Sequence, residues 1–193
     1  MPDVIRVQVW HYKGAKRRGP EFDLCITDEM CVETDNGDGE PEATLTSGTL
    51  TAHVQKQGGF SLRFTSEGRP VTASSSRGMA YVQGPDGKAY MREQLDLGVG
   101  ECIYGLGERF TPFVKNGQVV DIWNKDGGTG TEQAYKSIPF YTSSRGYGVF
   151  VNSPGEVSFE VGSERVSRVQ FSLPGECLDY YIINGPSLKQ VLE

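Results

Sequence analysis

Apolar and polar residues alternate along most of this chain, and the alternating runs are cut by glycine-rich turns. A period of two sends successive side chains to opposite faces of an extended strand, so these runs suit half-buried strands and not helices. Val4–Trp10, Thr49–Val54, Phe60–Phe64, Ala80–Gln83 and Ala89–Met91 read this way, as do Gly148–Val151, Val157–Val161, Val169–Leu173 and Leu178–Ile183. Gly58-Gly59 lies between the second and third runs and predicts a tight hairpin. Gly84-Pro85-Asp86-Gly87 lies between the fourth and fifth and predicts a second turn. Many short strands joined by such turns predict an all-β chain folded as a β-sandwich.

Length and charge narrow the function. The chain has 193 residues, the size of one domain or of a piece of a larger protein. Hydrophobic residues make up 37%, enough for a core. Lys and Arg number 19 against 25 Asp and Glu, a net charge of −6. That balance argues against nucleic-acid binding, which draws on a basic surplus. No apolar run approaches the roughly 20 residues that span a bilayer, so no membrane partner is expected. Met1-Pro2-Asp3 opens neither a basic nor an apolar leader, which predicts a cytoplasmic location. Cys25, Cys31, Cys102 and Cys177 form no Cys-x-x-Cys pair, and His11 and His53 are isolated. No metal site and no cofactor are expected, and the thiols are read as reduced.

Ser187-Leu188-Lys189-Gln190 has the spacing of a capping box, with Pro186 before it and Val191-Leu192 after it. The helix begun there is too short to stand alone. It either docks as a tail or leads into a second domain, and the second is the expectation. Asn36–Pro41 reads as an exposed loop.

One stretch breaks the strand pattern. Residues 124–137, Asn-Lys-Asp-Gly-Gly-Thr-Gly-Thr-Glu-Gln-Ala-Tyr-Lys-Ser, are polar and glycine-rich, between Trp123 and Ile138-Pro139-Phe140-Tyr141. Loops of this length in compact domains are uncommon and often functional. Asp126 in it has two readings. Beside Trp123 and Tyr135, a carboxylate could accept hydrogen bonds from sugar hydroxyls while the rings cover the C–H faces. Alternatively Asp126 only closes a turn through its own backbone. Glu132 has the same two readings. Catalytic motifs are otherwise thin. There is no Gly-x-Ser-x-Gly elbow, both histidines read as strand side chains, and Gly127–Thr131 and Gly105-Leu106-Gly107 match nucleotide loops only weakly. Glu108 and Arg109 read either as a local ion pair or as part of a pocket rim, and the pair is the expectation.

Tyr104-Gly105-Leu106-Gly107-Glu108-Arg109-Phe110 resembles the N-terminal β-domain of glycoside hydrolase family 31. So do Trp123–Thr129, Thr131–Tyr135, Ile138–Tyr141, Arg145–Val149, Ser158–Glu164, Asp96–Glu101 and His11–Gly14. The similarity runs from about residue 4 to the end and is similar in character to bacterial-type α-xylosidases. It implies a galactose-mutarotase-like supersandwich placed before a (β/α)8 barrel. It also implies retaining α-glycoside hydrolysis by two barrel aspartates, a nucleophile and an acid/base. No stretch here resembles the nucleophile motif. On this reading residues 1–186 are the N-terminal sandwich without its first strands, and 187–193 start the helix that leads to an absent barrel.

The chain alone is then expected to be inactive. The resemblance implies that the long loop reaches over the barrel mouth, with Asp126 touching the α-linked sugar and Trp123, Thr129, Glu132 and Tyr135 beside it. The expected partners are that sugar and the protein's own barrel, and the resemblance allows for a homo-oligomer. The alternatives are a stand-alone carbohydrate-binding sandwich and a purely structural spacer.

Overall fold

The computed structural model describes residues 1–12, 14, 32–124 and 136–193. In chain order the strands are β1 (Val4–Trp10), β2 (Glu33–Asp35), β3 (Glu42–Ser47), β4 (Leu50–Gln55) and β5 (Ser61–Ser66). Next come β6 (Arg69–Ser74), β7 (Ala80–Gln83), β8 (Ala89–Asp96), β9 (Ile103–Gly105) and β10 (Gln118–Ile122). The last five are β11 (Phe140–Ser143), β12 (Tyr147–Val151), β13 (Val157–Val161), β14 (Arg168–Pro174) and β15 (Cys177–Asn184). A short helix, α1 (Leu188–Leu192), follows.

The strands form two antiparallel sheets. The small sheet has the order β1-β15-β12-β11-β9. The large one runs β10-β13-β14-β8-β6-β5-β4-β3-β2, with β7 also paired to β8. The hairpin expected around Gly58-Gly59 is present, but Gln55 pairs with Ser61, so its loop is 56–60 and longer than a two-residue turn. Gln83 pairs with Ala89 across the second predicted turn, which Gly84 N–H closes by donating to Lys88 O at 2.8 Å.

The sheets meet through their apolar faces, as the alternation requires. Phe159 and Phe171 of the large sheet and Tyr141 and Tyr180 of the small one are fully buried. The Phe171 and Tyr180 rings meet edge to face at 5.3 Å, and Tyr141 meets Phe159 in the same way at 6.1 Å. Carboxylates also lie in this interior. Glu93 of β8 accepts from Ser74 Oγ at 2.6 Å, from Tyr180 O–H across the sheets at 3.0 Å and from Gln94 N–H at 2.8 Å. Glu101 accepts from Ser143 Oγ at 2.5 Å, Tyr147 O–H at 2.7 Å and Gly98 N–H at 2.7 Å, and pairs with Arg145 Nε at 3.4 Å. This one side chain therefore ties the Asp96–Glu101 segment to the Arg145–Val149 segment.

α1 docks on the outer face of the small sheet. Ser187 caps it by accepting Gln190 N–H at 3.4 Å, and the Gln190 side chain reaches the Ser187 hydroxyl at 2.8 Å. Val191 is buried above Gly148, where a Cβ would lie 2.7 Å from Val191 Cγ1 and 2.8 Å from the Phe140 ring. Glycine is needed there for the close approach.

His53 is a strand side chain, as the alternation predicts. Its ring nitrogens meet Glu42 Oε1 and Thr65 Oγ1, both at 2.9 Å. His11 lies just past β1 and stacks on Tyr81 with ring centroids 3.6 Å apart. No helix among the described residues is long and apolar enough to cross a membrane.

Candidate functional site: the root of the 124–137 loop

Among the described residues, β10 ends at Ile122 and β11 begins at Phe140. The two ends of the intervening stretch are clasped: Ser137 N–H donates to the Asn124 side-chain oxygen at 2.7 Å. Asp126, Thr129, Glu132 and Tyr135 lie outside the described residues. Trp123 is inside them and is 47% exposed.

The root is built from the Tyr104–Phe110 motif. Gly105, Leu106 and Gly107 all have positive φ, at 104°, 65° and 88°. For Leu106 that conformation is costly and is offset by complete burial of the side chain. The turn presses against the returning stem. Leu106 N–H donates to Phe140 O at 2.8 Å and Glu108 N–H to Lys136 O at 2.9 Å. A methyl group at Gly107 would overlap the Lys136 carbonyl oxygen. The Gly-x-Gly here is thus a seat for the loop stem and not a phosphate cradle.

Arg109 does not pair with Glu108. Its Nε donates to Leu106 O at 3.1 Å, and Nη2 donates to Asp121 O at 3.0 Å and to Ser137 Oγ at 2.9 Å. Glu108 instead meets Lys136 Nζ at 3.2 Å on the exposed surface. A flat guanidinium with several donors can hold three acceptors on different segments, which outweighs one exposed ion pair. Arg109 therefore bridges both stems of the loop. Arg109→Lys keeps the charge but loses the fork. We expect it to cost about 1–2 kcal/mol and to speed hydrogen exchange at the Ser137 amide; unchanged exchange would contradict the clamp.

Lys115 is buried close by, 3% exposed. Its ammonium donates to Pro112 O at 2.8 Å and Thr111 Oγ1 at 3.1 Å. Burial, and then the charge of Arg109, pull it below the ordinary lysine range. Burial likewise lowers Arg109, while the Asp121 charge opposes that shift.

Beside the clasp lies a cavity of about 310 Å³ lined by Ile122, Trp123, Asn124, Ser137, Pro139 and Pro154, among others. A ring face, an amide and a hydroxyl beside apolar walls form the kind of lining that receives a sugar ring. Because Ser137 Oγ accepts from Arg109, its own hydrogen can point at a ligand. Among the described residues, no group of three or more His, Cys, Asp or Glu could hold a metal ion.

Residues 1–160 match the family model for the glycosyl hydrolase 31 N-terminal galactose mutarotase-like domain. The chain is 52% identical over 192 residues to the α-xylosidase XylQ of Lactiplantibacillus pentosus, covering 98% of this chain and 24% of that protein. It is 43% identical over 210 residues to an α-xylosidase of Emericella nidulans, covering 98% of this chain and 27% of that protein. Among solved structures, a family 31 dextranase of Flavobacterium johnsoniae superposes with a TM-score of 0.80 at 21% identity, over 100% of this chain and 24% of that one. A family 31 α-xylosidase from a soil metagenome, complexed with xylose, does so with a TM-score of 0.78 at 19% identity, over 98% of this chain and 30% of that one.

An antiparallel double-sheet sandwich of this kind is shared with these solved family 31 structures. The chain belongs to glycoside hydrolase family 31, as its N-terminal galactose mutarotase-like domain. It spans about a quarter of the length of the curated relatives just described.

The root was only partly foreseeable. Loop composition points to Trp123 and to the limits at Asn124 and Ser137, but Arg109 and Lys115 carry no signal beyond their charge. Their roles depend on which backbone carbonyls come within reach.

Proposed function

We propose that this chain is the non-catalytic N-terminal domain of an α-xylosidase-type retaining glycosidase, and that its 124–137 loop forms part of the sugar pocket over the catalytic barrel. The 52% identity to an α-xylosidase along nearly the whole chain carries this reading. The loop root supports it: both stems are fixed by the Asn124 clasp and the Arg109 clamp, so the intervening residues start from a defined base. Asp126 contacts the sugar hydroxyls, Trp123 covers a C–H face, and Thr129, Glu132 and Tyr135 complete the loop's contribution. The barrel supplies the nucleophile and the acid/base. The working compartment is the cytoplasm.

Activity tests this directly. In the complete enzyme, Asp126→Ala should lower kcat/KM for an aryl α-xyloside roughly tenfold to a hundredfold, the size of one lost charge-assisted hydrogen bond. An unchanged kcat/KM would remove the loop from the pocket. The 193-residue chain alone should release no aryl group from the same substrate. The exposed Trp123 beside the cavity favours one second reading, a stand-alone sugar-binding module. Saturable quenching of tryptophan fluorescence in the isolated chain by xylo- or gluco-oligosaccharides would support it.

A further inference from the structure

We propose that Asn36 is a self-modification site. It loses ammonia to the backbone amide of Gly37 and becomes aspartate or isoaspartate, while the fold holds the other Asn-Gly pairs unreactive. The chain has three such pairs: Asn36-Gly37, Asn116-Gly117 and Asn184-Gly185. Asparagine before glycine is open to this step because no side chain shields the attacking amide. The Gly37 N–H gives up its proton, and its nitrogen bonds to the Asn36 side-chain carbonyl carbon. The bond from that carbon to the side-chain nitrogen breaks, and ammonia leaves with the transferred proton. Water then opens the cyclic imide at either carbonyl, giving aspartate or isoaspartate. Solvent supplies the co-reactant, and neither the sugar loop nor a catalytic barrel takes part.

Sequence ranks the three pairs equally, and hydrogen bonding separates them. The step needs a side-chain carbonyl that can swing onto the next amide, and an amide with no other acceptor. Asn116 is exposed, so solvent access is not what protects it. Its Oδ1 accepts from Ile103 N–H at 2.9 Å and its Nδ2 donates to Glu101 O at 2.8 Å. The Gly117 amide is committed to Val161 O at 2.6 Å. Asn184 Nδ2 donates to Thr49 Oγ1 at 3.1 Å and to Ser66 Oγ at 2.9 Å, and the Gly185 amide donates to Gly146 O at 2.9 Å.

Asn36 differs on each count. It is exposed, just past the end of β2. Among the described residues, neither its Nδ2 nor the Gly37 N–H has a hydrogen-bond partner. Its Oδ1 accepts from Lys56 Nζ at 3.1 Å, and the same ammonium donates to Gly37 O at 3.0 Å. A cation on Oδ1 favours the negative charge that grows there as the Gly37 nitrogen attacks. The product adds a negative charge beside Lys56. Isoaspartate also lengthens the backbone of the link that sets the β2–β3 register, so the short edge strand β2 is the element it loosens.

The test is peptide mapping by mass spectrometry of the complete protein after incubation in mildly alkaline buffer, native and in guanidinium chloride. In denaturant the three sites should convert at rates within about threefold of one another, as open chain would. In the native protein Asn36 should keep its rate to within about fivefold, while Asn116 and Asn184, which must first open locally, slow by at least about tenfold. Lys56→Gln should slow native conversion at Asn36 about twofold to fivefold, the size of one exposed charged contact, and leave the denatured rate unchanged. An Asn36 as slow as the other two in the native protein overturns the proposal. So does a lead over them that persists in denaturant, because the selection would then lie in local sequence and not in the fold. An unchanged native rate in Lys56→Gln overturns the part given to the ammonium.

Discussion

Gly107→Ala is expected to destabilise the domain by roughly 2–5 kcal/mol, as a left-handed alanine and an overpacked contact together would. Gly107 has a φ of 88°, and its missing Cβ faces backbone, not side chains. A methyl group would overlap the Lys136 carbonyl oxygen and come within 2.9 Å of Ile138 N, and neither can rotate away. Gly117 makes the comparison clean. Its φ is 82°, yet nothing lies within 4 Å of its Cβ position. Gly117→Ala should therefore carry only the conformational part, about 1–2 kcal/mol. Urea unfolding of the two variants measures the difference. Equal losses would mean that the loop stem yields to the methyl group and that Gly107 is not the seat described.

The second large effect is pH-dependent and belongs to Glu93. Burial between the sheets pushes its carboxyl from 4.5 up to about 7, against the pull of hydrogen bonds from Ser74, Tyr180 and the Gln94 amide. The folded state thus holds a proton that the unfolded chain releases near pH 4.5. Stability from this group is present in full at low pH, declines as pH rises through the interval from 4.5 to 7, and is flat above it. The span corresponds to about 3 kcal/mol. Glu93→Gln is neutral at every pH and keeps an acceptor for Ser74, while the Tyr180 hydroxyl must turn to accept from the amide. Relative to this variant, the parent should lose about 2–3 kcal/mol between pH 5 and pH 8. Glu160, which burial and Glu164 also raise, contributes in the same direction in both proteins and cancels in the difference. Parallel pH profiles for the parent and variant would show that Glu93 stays ionised in the fold.

Alternation made β1 and β13 legible to the residue, and β14 and β15 to within one residue at either end. It was blind where the physics differs. β6 contains Pro70, which lowers the strand signal. β2 is three exposed polar residues held by pairing with β3. β9 is only three residues long and ends on Gly105. Glu93 did carry a trace, because it occupies the inward position between Met91 and Leu95. Its protonation depends on a partner 87 residues away, which local pattern does not reach. The same limit explains Arg109. Adjacency to Glu108 suggested a pair, whereas the guanidinium answers carbonyl and hydroxyl groups brought in by folding. Composition alone marked the loop between Asn124 and Ser137, since polar glycine-rich sequence can sustain neither period.

The guanidinium–Asp121 bond matters beyond the loop. Among the described strands β10 ends the large sheet, and the amides and carbonyls along the outer side of an edge strand can pair with another chain's backbone. Arg109 puts a charged side chain on a carbonyl of this terminal strand, and charge at a sheet edge works against fibre-like growth, so a single cation serves colloidal integrity as well as shape.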